Sequence, residues 1–480
     1  MTQDLRYGTP AARWVLLATV LGSGMAFLDS TVVNVALPAI AEEFSVSLSS
    51  LQWTLDSYLL TLSALILLGG SLGDLYGRRL VFFWGLVLFT VASALCGLAP
   101  SIEALIAARA LQGVGAALMV PGSLAIISTT FRPQDRGQAI GAWSGLSGVT
   151  TALGPPLGGY LVDAGSWRLV FFINLPIAAA AIFVTLRHVP ETRAEGAGHR
   201  PDIAGAATAM LGLGALIYSL IEGPVRGFSS LPVLAGALAG ISFCAAFLII
   251  EARRENPMLP LEIFSSRQFS GANGTTLVVY AALSGALFLV VLQLQSVLGY
   301  SALEAGSALV PITLLLLVLS ARAGKLATTI GPRLPMTLGP LIAGGGLALM
   351  SRIVAGSSYL STVLPGVVVF GLGLSLTVAP LTAAALAAVE DRHAGIGSGV
   401  NNAVARVAGL LAVALLPLAA GIAGGSAIGE QRFSDGFSRA MLIAAALCVV
   451  GALNSWLTIR SVPLENRPSS ADPSPGVPAG

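Results

Sequence analysis

Asp29 and Arg109 are the residues of this sequence best placed to do chemistry. Asp29 lies in Leu28-Asp29-Ser30-Thr31-Val32-Val33-Asn34-Val35-Ala36-Leu37-Pro38, inside an apolar stretch that begins near Trp14. Arg109 lies in a second apolar stretch, Leu105 to Ala117, which also holds Gln112. A lone charge at the centre of a lipid-spanning helix costs roughly 2.5–3.5 kcal/mol, so such a residue faces protein or water and marks a functional site. Opposite charges at similar depth can pair, which lowers the cost of burying both. Burial and a neighbouring guanidinium act in opposite senses on a carboxylate's hold on its proton, so Asp29 is a candidate proton carrier poised between two states. The alternative is a permanent ion pair that fastens two helices together.

Other polar groups in apolar stretches are candidates for a substrate cavity: Asn34, Asp56, Gln112, Asn401, Asn402 and Arg406. Asp56 lies near one end of its stretch and reads equally well as an interfacial residue, and Glu222 reads as interfacial. Arg406 is the one deeply placed charge in the second half of the chain, which leaves anionic or zwitterionic cargo open. Cys96, Cys244 and Cys448 lie in apolar segments without motif spacing, and His188, His199 and His393 fall in loops without ligand spacing. Neither a disulfide framework nor a metal site is expected.

The elements that must hold these residues are membrane helices. The chain has 480 residues, 55% of them hydrophobic and 10% charged, where soluble domains carry about 25% charged residues. Apolar runs of about 20 residues recur along its length, each long enough to cross a hydrocarbon core. The alternation of β-barrel strands is absent. Charged and Gly/Pro punctuation predicts fourteen spans, near 14–38, 51–73, 80–99, 103–125, 138–161, 168–187, 203–222, 231–250, 270–294, 304–323, 334–353, 359–381, 398–424 and 437–459. Eighteen basic residues fall on one side, Arg78, Arg79, Lys325 and Arg333 among them, against five on the other, which places both termini in the cytoplasm. Ala39-Ile40-Ala41 mimics a signal-peptide cleavage site, but the preceding apolar region is too long and carries Asp29 and Asn34, so the first helix is retained.

A repeat organises these spans. Gly70-Ser71-Leu72-Gly73-Asp74-Leu75-Tyr76-Gly77-Arg78-Arg79 aligns with Gly324-Lys325-Leu326-Ala327-Thr328-Thr329-Ile330-Gly331-Pro332-Arg333 at an offset of 254, and Arg136 to Gly141 aligns with Arg392 to Gly397 at an offset of 256. Together they suggest a duplicated six-helix unit with two helices inserted between the halves. Such halves rock about a midplane site in one established transporter plan. The expected division is a cytoplasmic N-terminus at 1–13, an N-terminal six-helix bundle at 14–187, inserted helices with flanking loops at 188–269, a C-terminal six-helix bundle at 270–459 and a disordered cytoplasmic tail at 460–480. The positions matching Asp29 are Leu283 to Gly285, and Asp74 matches Thr328, so ion coupling is expected in the first half.

At these residues a resemblance becomes specific. Gly70 to Arg79 resembles the signature loop of the major facilitator superfamily, G-x-L-x-D-x-x-G-R-[RK], and Leu105 to Ala117 resembles its fourth-helix motif. Gly154-Pro155-Pro156-Leu157-Gly158-Gly159 is similar to the fifth-helix motif of its antiporters. Leu28 to Pro38, and Trp167-Arg168 with Phe171-Phe172-Ile173-Asn174-Leu175-Pro176, resemble the fourteen-helix drug:proton antiporters, the EmrB/QacA-like group. The resemblance implies an all-α polytopic membrane protein with the major facilitator fold. It implies that Gly70, Asp74, Gly77, Arg78 and Arg79 form a gating loop that latches the two halves on the cytoplasmic side. Gly154, Pro155, Gly158 and Gly159 thin or kink the fifth helix, against which the other half slides.

The function expected is proton-coupled export of drugs or small amphipathic molecules across the plasma membrane by alternating access, with a proton-coupled nutrient or metabolite symporter as the alternative. A net charge of +2 is too small to imply a nucleic-acid partner. No G-x-x-x-x-G-K-[ST] phosphate loop is present, so an ion gradient is the energy source. A membrane enzyme would want clustered carboxylates or histidines at one membrane face, and none are found. The expected partners are the bilayer, protons and a small-molecule substrate, with no cofactor and a monomeric state.

Overall fold

The computed structural model describes residues 5–193, 201–255, 257–389, 394–422 and 431–461, and its long elements are all α-helices. In chain order these are α1 (Pro10–Phe44), α2 (Leu48–Tyr76), α3 (Arg78–Gly97), α4 (Ile102–Thr130), α5 (Pro133–Ala164), α6 (Leu169–His188), α7 (Ile203–Arg226) and α8 (Leu231–Arg253). They continue as α9 (Arg267–Ser296), α10 (Ala302–Ile330), α11 (Arg333–Met350), α12 (Tyr359–Leu386), α13 (Ala394–Ala419) and α14 (Gln431–Thr458). Twelve of them are long and apolar enough to cross a membrane; the other two are α5 and α11, both interrupted by glycine and proline. Arg392-His393 of the second repeat match, and the tail from 462, lie outside the described residues.

Local chemistry sets the helix ends. Pro10 opens α1, where its missing N–H costs nothing, and Thr9 accepts from the Ala12 N–H at 3.4 Å. Ser45 closes α1 in the left-handed region at φ 52°, so the helix overruns the expected 14–38 span at both ends. The sixth span is interrupted at Ile173 and the tenth at Leu309, just before Pro311.

Helix pairing follows one pattern twice. In the first set α2 and α3 pack on α4, α5 and α6 on α1, and α3 on α6; in the second α10 and α11 pack on α12, α13 and α14 on α9, and α11 on α14. The α7–α8 hairpin leans through α7 on α2 and α13. At the far end of the bundle, where α1 ends and α2 begins, one apolar core runs through both sets, from Val32, Leu37, Leu51 and Phe171 to Phe288, Leu294, Phe370 and Phe437. At the basic end, where Arg78 and Arg79 lie, the cores are separate: Phe82, Phe131 and Trp143 in one, Met336, Leu381 and Ile459 in the other.

Proline explains how the far end is sealed. Pro417 has no N–H for the carbonyl of Val413 four residues earlier, and Gln52 of α2 donates to that carbonyl at 2.6 Å. Pro155 likewise frees the Thr151 carbonyl, which takes the Thr31 hydroxyl at 3.3 Å. Asp163, at the end of α5, accepts the N–H groups of Ala302 and Leu303 at 3.1 and 2.9 Å, capping α10 from the opposite bundle. Gln295 adds a bond to the Val35 carbonyl at 2.9 Å.

Candidate functional site

Asp29 is 0% exposed, and four other helices supply its surroundings. From α4, the Arg109 Nη1 donates to Asp29 Oδ2 at 2.5 Å and the Gln112 Nε2 to Oδ1 at 2.8 Å. Residues three apart share a helix face, which is why one turn of α4 supplies both donors. From α6, the Asn174 Nδ2 donates to the same Oδ1 at 3.1 Å. Ser93 of α3 accepts from both amides, at 2.7 Å from Gln112 and 3.2 Å from Asn174. From α2, the Thr54 carbonyl accepts from Arg109 Nε at 3.1 Å, and the Tyr58 ring lies 4.3 Å from the guanidinium carbon.

The pair of charges is therefore enclosed by groups that can serve two protonation states. Gln112 and Asn174 each carry a donor and an acceptor end. Their NH2 groups now face a carboxylate, and the Asn174 Oδ1 is buried without a partner among the described residues. A carboxylic acid at Asp29 would need an acceptor, which either amide provides by turning over. Ser93, Asn174 and Tyr58 were not legible as members of this site, because one polar residue in an apolar helix is common and its partners come from other helices.

The remaining expected site residues are dispersed. Gln112 belongs to the buried network and not to a cavity wall. Asp56, expected at an interface or in a cavity, is 0% exposed one turn after Gln52, which bonds α13, and neither of its oxygens has a hydrogen-bond partner among the described residues. Asn401 bonds Asn273 at 3.1 Å and Thr276 at 2.8 Å on α9, so it packs within its own bundle. Asn34 and Asn402 are half-buried and bond backbone carbonyls one turn back, Ser30 and Ser398. Arg406 sits with its guanidinium carbon 5.3 Å from the Phe27 ring of α1. Glu222 accepts from Trp53 at 3.3 Å and from Arg226 at 2.8 Å, tying α7 to α2.

The loop between α2 and α3 is held by its own bundle. Arg78 grips Asp74 through Nε at 2.9 Å and Nη2 at 2.7 Å. Glu191, after α6, accepts the N–H groups of Arg79 and Leu80 at 3.1 Å each, placing a carboxylate on the N-terminus of α3. Gly77 has φ 120°, and a methyl group there would meet Glu191 Oε1 at 2.7 Å, so glycine is required twice over. Gly70 packs beside Pro121 of α4. Nearby, the Tyr7 N–H and the Arg132 guanidinium hold the Asp135 carboxyl below its ordinary value.

Gly154, Pro155, Gly158 and Gly159 lie where α5 touches both bundles. Methyl groups at Gly154 and Gly158 would come within 3.0 Å of Thr31 Cβ and the Val32 carbonyl on α1. One at Gly159 would lie 2.5 Å from Leu303 Cα, and one at Gly306 of α10 would lie 2.6 Å from the Pro155 carbonyl carbon. Toward the basic end the same helix opens: methyl groups at Gly137, Gly141, Gly145 and Gly148 would touch nothing within 4 Å.

Residues 19–413 match the sequence pattern of the Major Facilitator Superfamily. The chain is 38% identical over 402 residues to the Multidrug resistance protein Stp of Mycobacterium tuberculosis, covering 84% of this chain and 74% of that protein. It is 35% identical over 450 residues to the Tetracenomycin C resistance and export protein of Streptomyces glaucescens, covering 93% and 82%. It is 36% identical over 450 residues to the Probable actinorhodin transporter of Streptomyces coelicolor, covering 91% and 77%. Among solved structures, a bacterial homolog of the human lysosomal transporter Spinster, inward-facing and occupied, superposes with a TM-score of 0.67 at 18% identity, covering 97% of this chain and all of the other.

Proposed function

The chain belongs to the major facilitator superfamily, and from that premise we propose that it is a secondary active exporter of drug-like small molecules, driven by proton antiport. Relatives named for multidrug resistance, tetracenomycin C export and actinorhodin transport support the direction and the class of cargo. All fourteen helices cross the plasma membrane, α5 and α11 included, with both termini and the basic end in the cytoplasm. On that orientation the conformation is inward-facing, sealed outside by the shared core and parted inside along α5. Helices α1–α6 and α9–α14 are the rocking units, and α7–α8 is an insert that follows α2 and α13.

The single observation that carries the coupling is the enclosure of Asp29 and Arg109 at 0% exposure within one amide-lined network. Protonating Asp29 removes its charge, frees Arg109 to the Thr54 carbonyl and Tyr58 face, and changes which packing of α1 against α4 and α6 is favoured. A proton crossing about 100 mV supplies about 2.3 kcal/mol, a sensible size for biasing a two-state equilibrium. The α2–α3 loop joins the two units when the cytoplasmic side closes, and the glycine and proline stretch of α5 is the surface on which they roll.

The test is a susceptibility panel with pH-dependent efflux in cells expressing the chain, Asp29→Asn or Arg109→Ala. Wild type is expected to raise resistance several-fold and to lose efflux when the proton gradient is collapsed, and neither variant is expected to protect. Accumulation of compound in intact cells under an inward proton gradient would instead identify a symporter.

A further inference from the structure

Arg406 is an uncompensated charge in the seam between the two bundles. Among the described residues its guanidinium has neither a carboxylate nor a hydrogen-bond acceptor, and its assigned contact is the face of Phe27, across the seam on α1. The side chain is half-buried. Asn402, one turn earlier on the same face of α13, spends its Nδ2 on the Ser398 carbonyl, and among the described residues its carbonyl oxygen accepts no hydrogen bond.

The acids that would neutralise Arg406 are occupied or sealed. Asp29 is held by Arg109, Gln112 and Asn174, and Asp56 is 0% exposed. The Asp29–Arg109 pair adds no net charge. Among the described residues Arg406 is thus an unpaired guanidinium beside an aromatic ring, while the unpaired Asp56 carboxylate is fully buried. A guanidinium presents a planar fork that matches a carboxylate or sulfonate and also stacks on aromatic faces. A half-buried guanidinium has lost part of its hydration without gaining a counter-ion, so an arriving anion restores some of that loss.

We propose that Arg406, Phe27 and Asn402 form the recognition site for an anionic aromatic substrate. The acid group, a carboxylate, sulfonate or phenolate, is bound by the guanidinium, the ring system lies against Phe27, and a hydroxyl or N–H of the substrate bonds the Asn402 carbonyl. Because Phe27 and Arg406 come from opposite bundles, one bound molecule touches both moving parts. This assignment rests on the exporter reading and narrows its cargo.

Equilibrium binding of two xanthene dyes of similar size and opposite charge, fluorescein and a tetramethylrhodamine methyl ester, to the purified full chain in detergent micelles tests it by fluorescence anisotropy. Wild type is expected to bind fluorescein more tightly than the rhodamine ester. Arg406→Met should weaken fluorescein by about ten- to a hundredfold, the range for a lost charge-assisted hydrogen bond, and leave the rhodamine ester as tight or tighter. If the Met variant loses both dyes, Arg406→Lys decides: retained preference for fluorescein supports the site, and lost preference overturns it. A wild type that prefers the rhodamine ester or binds no fluorescein, or a Met variant within about twofold of wild type for fluorescein, also overturns it. The exporter reading fails separately: fluorescein bound but not moved by everted vesicles defeats export and keeps the site, whereas rhodamine ester exported with fluorescein ignored does the reverse.

Discussion

Replacing Asp29 with asparagine keeps the shape of the side chain and removes its charge. The variant strands the Arg109 guanidinium, which like Asp29 is 0% exposed. Breaking a buried ion pair from one side costs about 3–5 kcal/mol. Three groups still hold Arg109: the Gln112 Oε1 at 2.6 Å, the Thr54 carbonyl at 3.1 Å and the Tyr58 ring at 4.3 Å. A desolvated cation–π contact alone contributes about 2 kcal/mol, so the expected loss lies at the lower end, about 3 kcal/mol. Removing both charges, with Asp29→Asn and Arg109→Gln together, leaves neutral amides able to bond one another and should restore most of that stability. Reversible unfolding in mixed micelles, compared across wild type, both single variants and the double, reads the cycle. A single Asp29→Asn variant within about 0.5 kcal/mol of wild type, or a double variant no more stable than the single, would refute the reasoning.

Asp56→Ala should act in the opposite sense, raising stability by about 1–3 kcal/mol because it removes a buried polar group that makes no hydrogen bond among the described residues; a loss in the same unfolding experiment would mean that Asp56 has a stabilising partner. Glu191→Ala should cost about 1 kcal/mol by uncapping α3, and amide exchange at Arg79 and Leu80 should quicken; unchanged exchange there would count against the cap. Asp163→Asn should loosen the far-end seal by about 1 kcal/mol, roughly a fivefold shift toward opening, visible as a longer population in spin-label distances between the far ends of α5 and α10; an unchanged distribution would show that other contacts hold the seal.

The helices and the charged pair were legible in the sequence for the same physical reason. Lipid demands apolar runs of fixed length, and it makes a charge such as Asp29 or Arg109 conspicuous wherever one occurs. Gln112 was visible as a polar neighbour but read as a cavity residue, because spacing on one helix does not say which side chains of other helices approach it. Ser93 and Asn174 stayed hidden for that reason, although Asn174 stands in the Phe171 to Pro176 stretch on which the resemblance drew. Asp56 read equally well as interfacial or as a cavity residue from its position near the start of α2; it is buried one turn after Gln52, which bonds α13. Glu191 lies in a loop, and nothing local marks it as the cap of a helix more than a hundred residues earlier. The role of Pro417 in exposing a carbonyl to Gln52 is a tertiary fact of the same sort.

The central claim is that Asp29 exchanges the proton that drives export. Its most direct test is uphill transport in proteoliposomes of the purified chain under an imposed pH gradient without ATP, using whichever xanthene dye the chain binds, with dye-for-dye exchange at equal pH as the control. Wild type should concentrate the dye against its gradient, and Asp29→Asn should abolish concentration while leaving exchange measurable. An Asp29→Asn variant that concentrates the dye as wild type does would place the coupling proton elsewhere and reduce the Asp29–Arg109 pair to a helix fastener.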